Sequence, residues 1–272
     1  MVKNAFTVDV EDWAQSTLDL SRPISERVVV NTRRLLALLT KCDVRATFFV
    51  QGMVAERFPE LVAEIAAAGH ELGTHGYSHQ PVYRLGRERF AAELAHSIAL
   101  VEAAGGQRVV GHRAPDFSIP PEIPWAWEVL RDSGLRYDSS IFPAPNPRYG
   151  TPDAPRQPYS LLDGLLEFPV AVLNLGPLHL PVAGGGYFRV FPYAYTRWGL
   201  RRLNARGQSA VLYIHPYDLD ERELGQLSSQ VPWRLRLTQG MNRGRMKRKL
   251  GRLLRDFSFG PLVDLLPQVQ RA

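Results

Sequence analysis

Short apolar runs alternate with longer stretches in which apolar residues recur at helical spacing, and this alternation persists along the chain. Runs rich in Val, Ile, Phe and Thr predict strands at 4–10, 44–50, 70–74, 108–112, 135–139, 165–174 and 209–214. Helical periodicity predicts helices at about 25–41, 53–68, 87–104, 121–133, 192–206 and 245–256, the first marked by Val28, Leu35, Leu36 and Leu39. Strand followed by helix, repeated, favours a parallel sheet wrapped by helices. From Phe142 to Pro158 the chain holds six prolines and little periodicity, which predicts an extended surface loop. With no internal repeat and no linker to a second unit, a single α/β domain is expected.

Composition agrees: 272 residues at 45% hydrophobic content can bury one sizeable core. The lone Cys42 excludes an intramolecular disulfide and reads as a small buried hydrophobe. The first strand begins by about residue 5, which leaves no room for a signal peptide, and no apolar run approaches the ~18 residues of a membrane span. The expected location is therefore the cytoplasm. Charge is unevenly placed, because Arg243, Arg245, Lys247, Arg248, Lys249, Arg252 and Arg255 fall in one stretch without an acid. Met246, Leu250, Leu253, Leu254 and Phe257 recur at helical spacing through it. A final helix packing an apolar stripe on the body of the protein is the favoured reading. The other reading is a basic face, 243–257, lying on an anionic membrane or holding a lipid-linked glycan. No recognition motif accompanies the charge, so nucleic acid is not an expected partner.

The candidate chemistry sits at strand ends, where parallel α/β folds collect it. Thr7–Asp12 reads TVDVED and ends in Asp9, Glu11 and Asp12. Ala66–His79 reads AAAGHELGTHGYSH and sets His75 and His79 four residues apart after a short strand. Gly111–Pro115 reads GHRAP, Tyr137–Pro143 reads YDSSIFP, and Ala210–Pro216 reads AVLYIHP. Two imidazoles at that spacing can share one divalent metal, and with a carboxylate they leave a position open for water. On spacing alone, histidines capping a helix end would read the same way.

Taken in order, these segments resemble the five motifs of the polysaccharide deacetylase family, carbohydrate esterase family 4. The resemblance spans Thr7 to Pro216, about four-fifths of the chain, and extends to Ala46–Gly52, ATFFVQG. It implies a distorted (β/α) barrel of about seven parallel strands over 1–230, with 231–272 as a basic helical extension. It also implies hydrolysis of an N-acetyl amide on a glycan, with a metal polarising the carbonyl and acidifying water. His75 and His79 would be metal ligands, Asp9 the general base, Arg113 its partner, His215 the general acid and Asp138 the carboxylate orienting that imidazole. The third ligand stays open: Glu11 shares a strand face with Asp9, whereas a turn beginning at Val10 would offer Asp12. Zinc is the first choice of metal, with cobalt or nickel next. The DVEDW opening and basic C-terminal stretch look most like the deacetylases of bacterial exopolysaccharide assembly systems. Alternatives are an amide hydrolase acting on a lipid-linked amino sugar or an allantoin-like molecule, and a non-catalytic glycan-binding relative.

Other residues carry weaker expectations. His70 reads as structural, His96 as exposed, and His112 as packed on the face opposite Arg113. Pro115 and Tyr187 are candidate sugar contacts, and Trp13 either floors a sugar subsite or packs in the core. The glycine run Ala183–Arg189 lacks the context of a phosphate loop and reads as a flexible segment able to approach a sugar.

Overall fold

The computed structural model describes residues 2–146, 148–176, 178–182 and 184–266. The chain opens with β1 (Asn4–Val10), a π-helical turn (Ala14–Leu18), α1 (Arg27–Lys41), β2 (Thr47–Val50), α2 (Gly52–Arg57), α3 (Pro59–Ala67) and β3 (Glu71–Thr74). There follow α4 (Val82–Leu85), α5 (Arg87–Gly105), β4 (Gly111–His112), α6 (Trp125–Asp132), β5 (Tyr137–Asp138) and the hairpin β6 (Tyr159–Leu162) and β7 (Leu165–Glu167). The last part holds β8 (Val172–Leu175), β9 (Leu178–Pro181), α7 (Gly185–Val190), α8 (Tyr193–Ala205), β10 (Val211–Ile214), α9 (Glu223–Gln226), α10 (Trp233–Gly240), α11 (Arg243–Asp256) and β11 (Phe259–Gly260).

Seven strands run parallel in the order β10, β1, β2, β3, β4, β5, β7, with β6 antiparallel at one edge and β11 parallel to the start of β1. The sheet curls into an incomplete barrel, the α/β architecture expected. Successive strand residues point to opposite faces. Phe6, Val8 and Val10 of β1, Phe48 and Val50 of β2, and Leu212 and Ile214 of β10 join the core beneath the helices. Ala5, Phe49, Tyr137, Val211 and Tyr213 join a second cluster inside the curl. That parity decides which strand-end residues meet.

Several elements differ from expectation for local reasons. The helix expected at 53–68 is two, because Pro59 cannot continue α2 but suits the first turn of α3. The strand expected at 165–174 breaks into β7 and β8 around Pro169, which lacks the N–H a ladder needs. The β6–β7 hairpin turns through Asp163-Gly164, with Gly164 at φ 82°, a turn signal present in the sequence. The proline-rich stretch forms no helix or strand among its described residues, yet it is not simply a surface loop: Phe142 and Ala144 are buried, and Phe142 bridges to Gly150. Cys42 caps α1 and is partly exposed rather than buried.

The C-terminal stretch packs against the rest. Met246, Leu250, Leu253 and Leu254 of α11 enter the main core, while Arg245, Lys247, Arg248, Arg252 and Arg255 face solvent. Residues 267–272 of the expected extension lie outside the described residues. No described helix is long and apolar enough to cross a membrane.

Candidate metal centre and active site

The inward face of β1 carries Thr7 and Asp9, and the chain continues on that side to Glu11. Glu11 Oε2 lies 3.1 Å from His75 Nε2 and contacts His79 Nε2. One ligand atom from each of these three buried residues lies within 4.8 Å of the others. Asp12 is turned away: its Oδ1 accepts from the Ala14 and Gln15 N–H groups at 3.0 and 3.1 Å, and its Oδ2 from the Ser25 N–H at 3.0 Å and from the Ser25 hydroxyl. Asp12 thus satisfies the start of the π-helical turn, and Glu11 alone completes the cluster.

This donor set fits a divalent cation. His75 Nδ1 donates to the Arg113 carbonyl at 2.8 Å, which leaves its Nε2 lone pair facing a carboxylate oxygen. Two acceptors set face to face call for a cation between them. The second histidine is held in a left-handed conformation, His79 at φ 62°, unusual outside glycine, and its buried Nδ1 has no partner among the described residues. Burial pushes the Glu11 carboxyl upward, but His79, with the charge of His215, outweighs it and holds Glu11 well below the usual range. The same exchange lifts His79 against its own burial.

Beside the cluster, Asp9 is aimed by a buried guanidinium. Arg113 Nη1 donates to Asp9 Oδ1 at 2.9 Å and to Thr7 Oγ1 at 2.6 Å, its Nε and Nη2 bond the carbonyl and hydroxyl of Ser139, and its plane lies over Phe49. All of its bonding is internal, so this ion pair is set by geometry rather than by solvent.

Across the cavity His215 Nε2 is 4.0 Å from Asp9 Oδ2 and 3.9 Å from Glu11 Oε1. Its Nδ1 meets Asp218 Oδ2 at 3.3 Å, and its ring stacks on Tyr217 at 4.6 Å. Asp218 also accepts from Arg189 at 2.8 Å, and Arg189 in turn bonds the Thr238 carbonyl and supports Asn242 through its own carbonyl. Burial pulls the His215 imidazole down, but the Asp218 hydrogen bond and the charges of Glu11, Asp218 and Asp9 prevail, lifting it to about 9. Burial raises Asp218, yet His215 and Arg189 bring it to about 2. Gly185 opens α7 directly against this carboxylate: a Cβ there would sit 2.0 Å from Asp218 Oδ2.

Asp138, expected to orient His215, does not. It pairs in register with His112, and the two share the sheet face turned to the helices, where His112 Nδ1 meets Asp138 Oδ1 at 2.9 Å. Parity of the strand carries it away from the cavity, and the carboxylate that meets His215 Nδ1 is Asp218. Trp13 is 1% exposed and packs with Tyr217, Leu224 and Val231 beneath Arg243, so it is core and cannot floor a sugar. Pro115 is likewise buried, against Gly76, and its neighbours Ala114, Asp116 and Phe117 line the cavity instead.

Tyr187 does line that cavity, which measures about 150 Å³. In the glycine run around it Gly184 caps α7 and Gly185–Arg189 lie within it, whereas Ala183 lies outside the described residues. Tyr149, Tyr213 and Tyr217 add aromatic walls, Arg148 and Asp116 form an ion pair at 2.7 Å on the rim, and Gln239 reaches in from α10. Asp218, Arg189, Tyr217, Arg148, Asp116 and Gln239 escaped the sequence reading. Asp218 had a signal: in HPYD it follows His215 by three residues, and it accepts from the His215 N–H at 3.0 Å as a capping pair does.

Residues 18–137 match the family model described as polysaccharide deacetylase. Over that stretch the chain is similar to the polysaccharide deacetylases. Residues 139–267 match a domain of unknown function (DUF3473). A peptidoglycan deacetylase of Helicobacter pylori is 34% identical over 114 residues, 41% of this chain and 37% of that protein. The chain thus spans well under half of that curated relative. A Mycobacterium smegmatis structure, described provisionally as a polysaccharide deacetylase, superposes with a TM-score of 0.67 at 24% identity, covering 99% of this chain and 90% of that one. Puue allantoinase superposes at 0.62 with 15% identity, covering 95% and 86%. Those two likenesses concern the fold alone. The cavity draws on both matched stretches and on the chain before them: His75 and His79 from the first, His215 and Asp218 from the second, Asp9 from β1 and Glu11 just after it.

Proposed function

We propose that the protein is a metal-dependent hydrolase that removes N-acetyl groups from a polysaccharide of exopolysaccharide type. The observation that carries the reading is the meeting, in one cavity, of the Glu11–His75–His79 donor set with Asp9 on one side and His215 on the other. Glu11 beside the two histidines and Asp9 beside His215 support this reading over a non-catalytic relative. Glu11, His75 and His79 would hold a divalent cation, zinc by first choice, which when bound polarises the amide carbonyl and acidifies water.

The chain's own residues divide the proton transfers. Asp9, aimed by Arg113, accepts a proton from the attacking water as its oxygen bonds to the acetyl carbon. The C–N bond then breaks, acetate leaves with that oxygen, and His215 Nε2 gives a proton to the departing sugar amine. Asp218 fixes the imidazole by accepting at Nδ1, and Arg189 fixes Asp218. Tyr149, Tyr187 and Tyr217 form walls on which a sugar ring can lie.

Purified protein should bind one divalent metal per chain and release acetate from an acetylated glycan. His75→Ala and His79→Ala should each lose stoichiometric metal and hydrolysis together while the circular dichroism spectrum is kept. Full metal occupancy in the double variant would sink this site. Asp9→Asn should lose turnover with metal retained, since its carboxylate is outside the donor set.

A further inference from the structure

The aromatic wall of the cavity does not stop at its rim. Tyr187 stacks on Phe191 with centroids 6.3 Å apart and planes 13° apart, Phe191 meets Tyr195 at 4.6 Å, and Tyr195 meets Trp198 at 6.2 Å. This single file leaves the cavity along α7 and α8. Phe191 is 36% exposed and Trp198 38%, where rings of this size are ordinarily covered.

Cations border the file. Arg252 of α11 lies 4.5 Å over Tyr193, and Lys249 donates to the carbonyls of Phe188 and Phe191. At the far end Trp198, Arg197, Arg201 and Arg202 surround a shallow hollow of about 320 Å³, with Arg202 stacked over Trp198 at 5.8 Å. The nearby acid is Asp256, which contacts Arg197 at 3.3 Å and Arg252 at 4.0 Å and accepts from Tyr193 at 2.6 Å. Arg201 and Arg202 form no salt bridge among the described residues. Rings that take the apolar faces of sugars, set beside cations in surplus, match a polymer whose sugars carry negative groups. A lipid surface would ask for an apolar patch broad in two directions, and here the rings form one line that ends at the catalytic groups.

We propose that this file is an extended binding track for an acidic polysaccharide, whose chain lies over Phe191, Tyr195 and Trp198 with its carboxylates or phosphates facing Arg201, Arg202 and Arg252. The track rests on the deacetylase reading above and narrows its substrate to anionic glycans. The basic stretch seen in the sequence thereby gains a role beside the track.

Isothermal titration with two probes tests it: hyaluronan fragments, which alternate glucuronate with N-acetylglucosamine, and neutral chitohexaose. Hyaluronan should bind the intact chain more tightly than chitohexaose and weaken as salt is raised. Trp198→Ala should weaken it about tenfold, and the Arg201→Gln/Arg202→Gln pair should abolish the preference over chitohexaose. Thermal melts should not move, because these side chains are at the surface. Equal affinity for the two probes, no hyaluronan binding, or unchanged affinity in the variants would overturn the track. Binding to phosphatidylglycerol vesicles lost in the same variants, with hyaluronan ignored, would overturn it in favour of a membrane face. Acetate release is read separately: track-dependent binding without acetate would leave the track standing and remove the deacetylase reading. Acetate release from the acidic polymer at equal rates in the variants would do the reverse.

Discussion

His112–Asp138 and His215–Asp218 are both imidazole–carboxylate pairs at strand ends, at 2.9 and 3.3 Å, yet they face opposite sides of one sheet. The first is sealed between β4, β5 and the helices, with both side chains 0% exposed and Phe90 edge-on to the imidazole. The second opens on the cavity beside Asp9 and Glu11. A hydrogen-bonded His–Asp pair therefore says little by itself about catalysis; what decides is the parity of the strand residue and access to a reacting group.

The largest expected effect comes from cutting the outward pair from the cavity side. His215→Ala should reduce turnover by ~10²–10⁴ with metal bound and the melting temperature unchanged. His112→Ala should do the opposite: it strands the buried Asp138 and costs about 3–5 kcal/mol of stability, read as a lower urea midpoint, with the rate per folded molecule kept. Matching rate losses in both variants would erase the distinction.

A smaller effect should separate the two carboxylates. With His215 lifted to about 9, its acid form persists through neutral pH and is lost as pH rises through that value. Asp218→Asn should move this basic limb of the rate profile to lower pH, and Asp138→Asn should leave it in place. A shift in Asp138→Asn alone would restore the role that the sequence resemblance gave that residue.

The smallest effect concerns the sealed face, where Glu167 stands in register with Asp138. Burial and the Asp138 charge push the Glu167 carboxyl well above its usual range. A carboxyl raised in the folded state contributes stability at low pH that is lost as pH rises toward the folded value. Glu167→Gln should therefore flatten the decline of the melting temperature as pH rises above the ordinary carboxylate range, without altering the rate profile. An unchanged pH dependence of the melt would mean that Glu167 does not titrate there.

Much of this was legible in the sequence because it lies in strand-end segments that are short, ordered and chemically distinctive. The β1 tip, the two candidate metal-site histidines, Arg113 and His215 all fall in such segments, whereas alternation along β1 left Glu11 and Asp12 both open as the third ligand. Asp138 misled because its segment was read for residue type without its face. Trp13 stayed open between sugar floor and core for a similar reason: nothing near it in sequence reveals that α9 and α10 cover it. Arg189, Gln239 and Arg148 enter from α7, α10 and the proline-rich stretch, which local periodicity does not connect to β10. Such contacts arise only when the sheet curls and brings distant loops over one opening.

Gly185 has a diagnostic use. Its α-hydrogen stands where any other residue would drive a methylene into Asp218. One letter at this position thus reports whether the acid arm can be set. Among chains that keep the histidines, the arginine and the β1 acids, those with a side chain here should be slow or silent whatever their other motifs say, and restoring glycine should be the first repair to try.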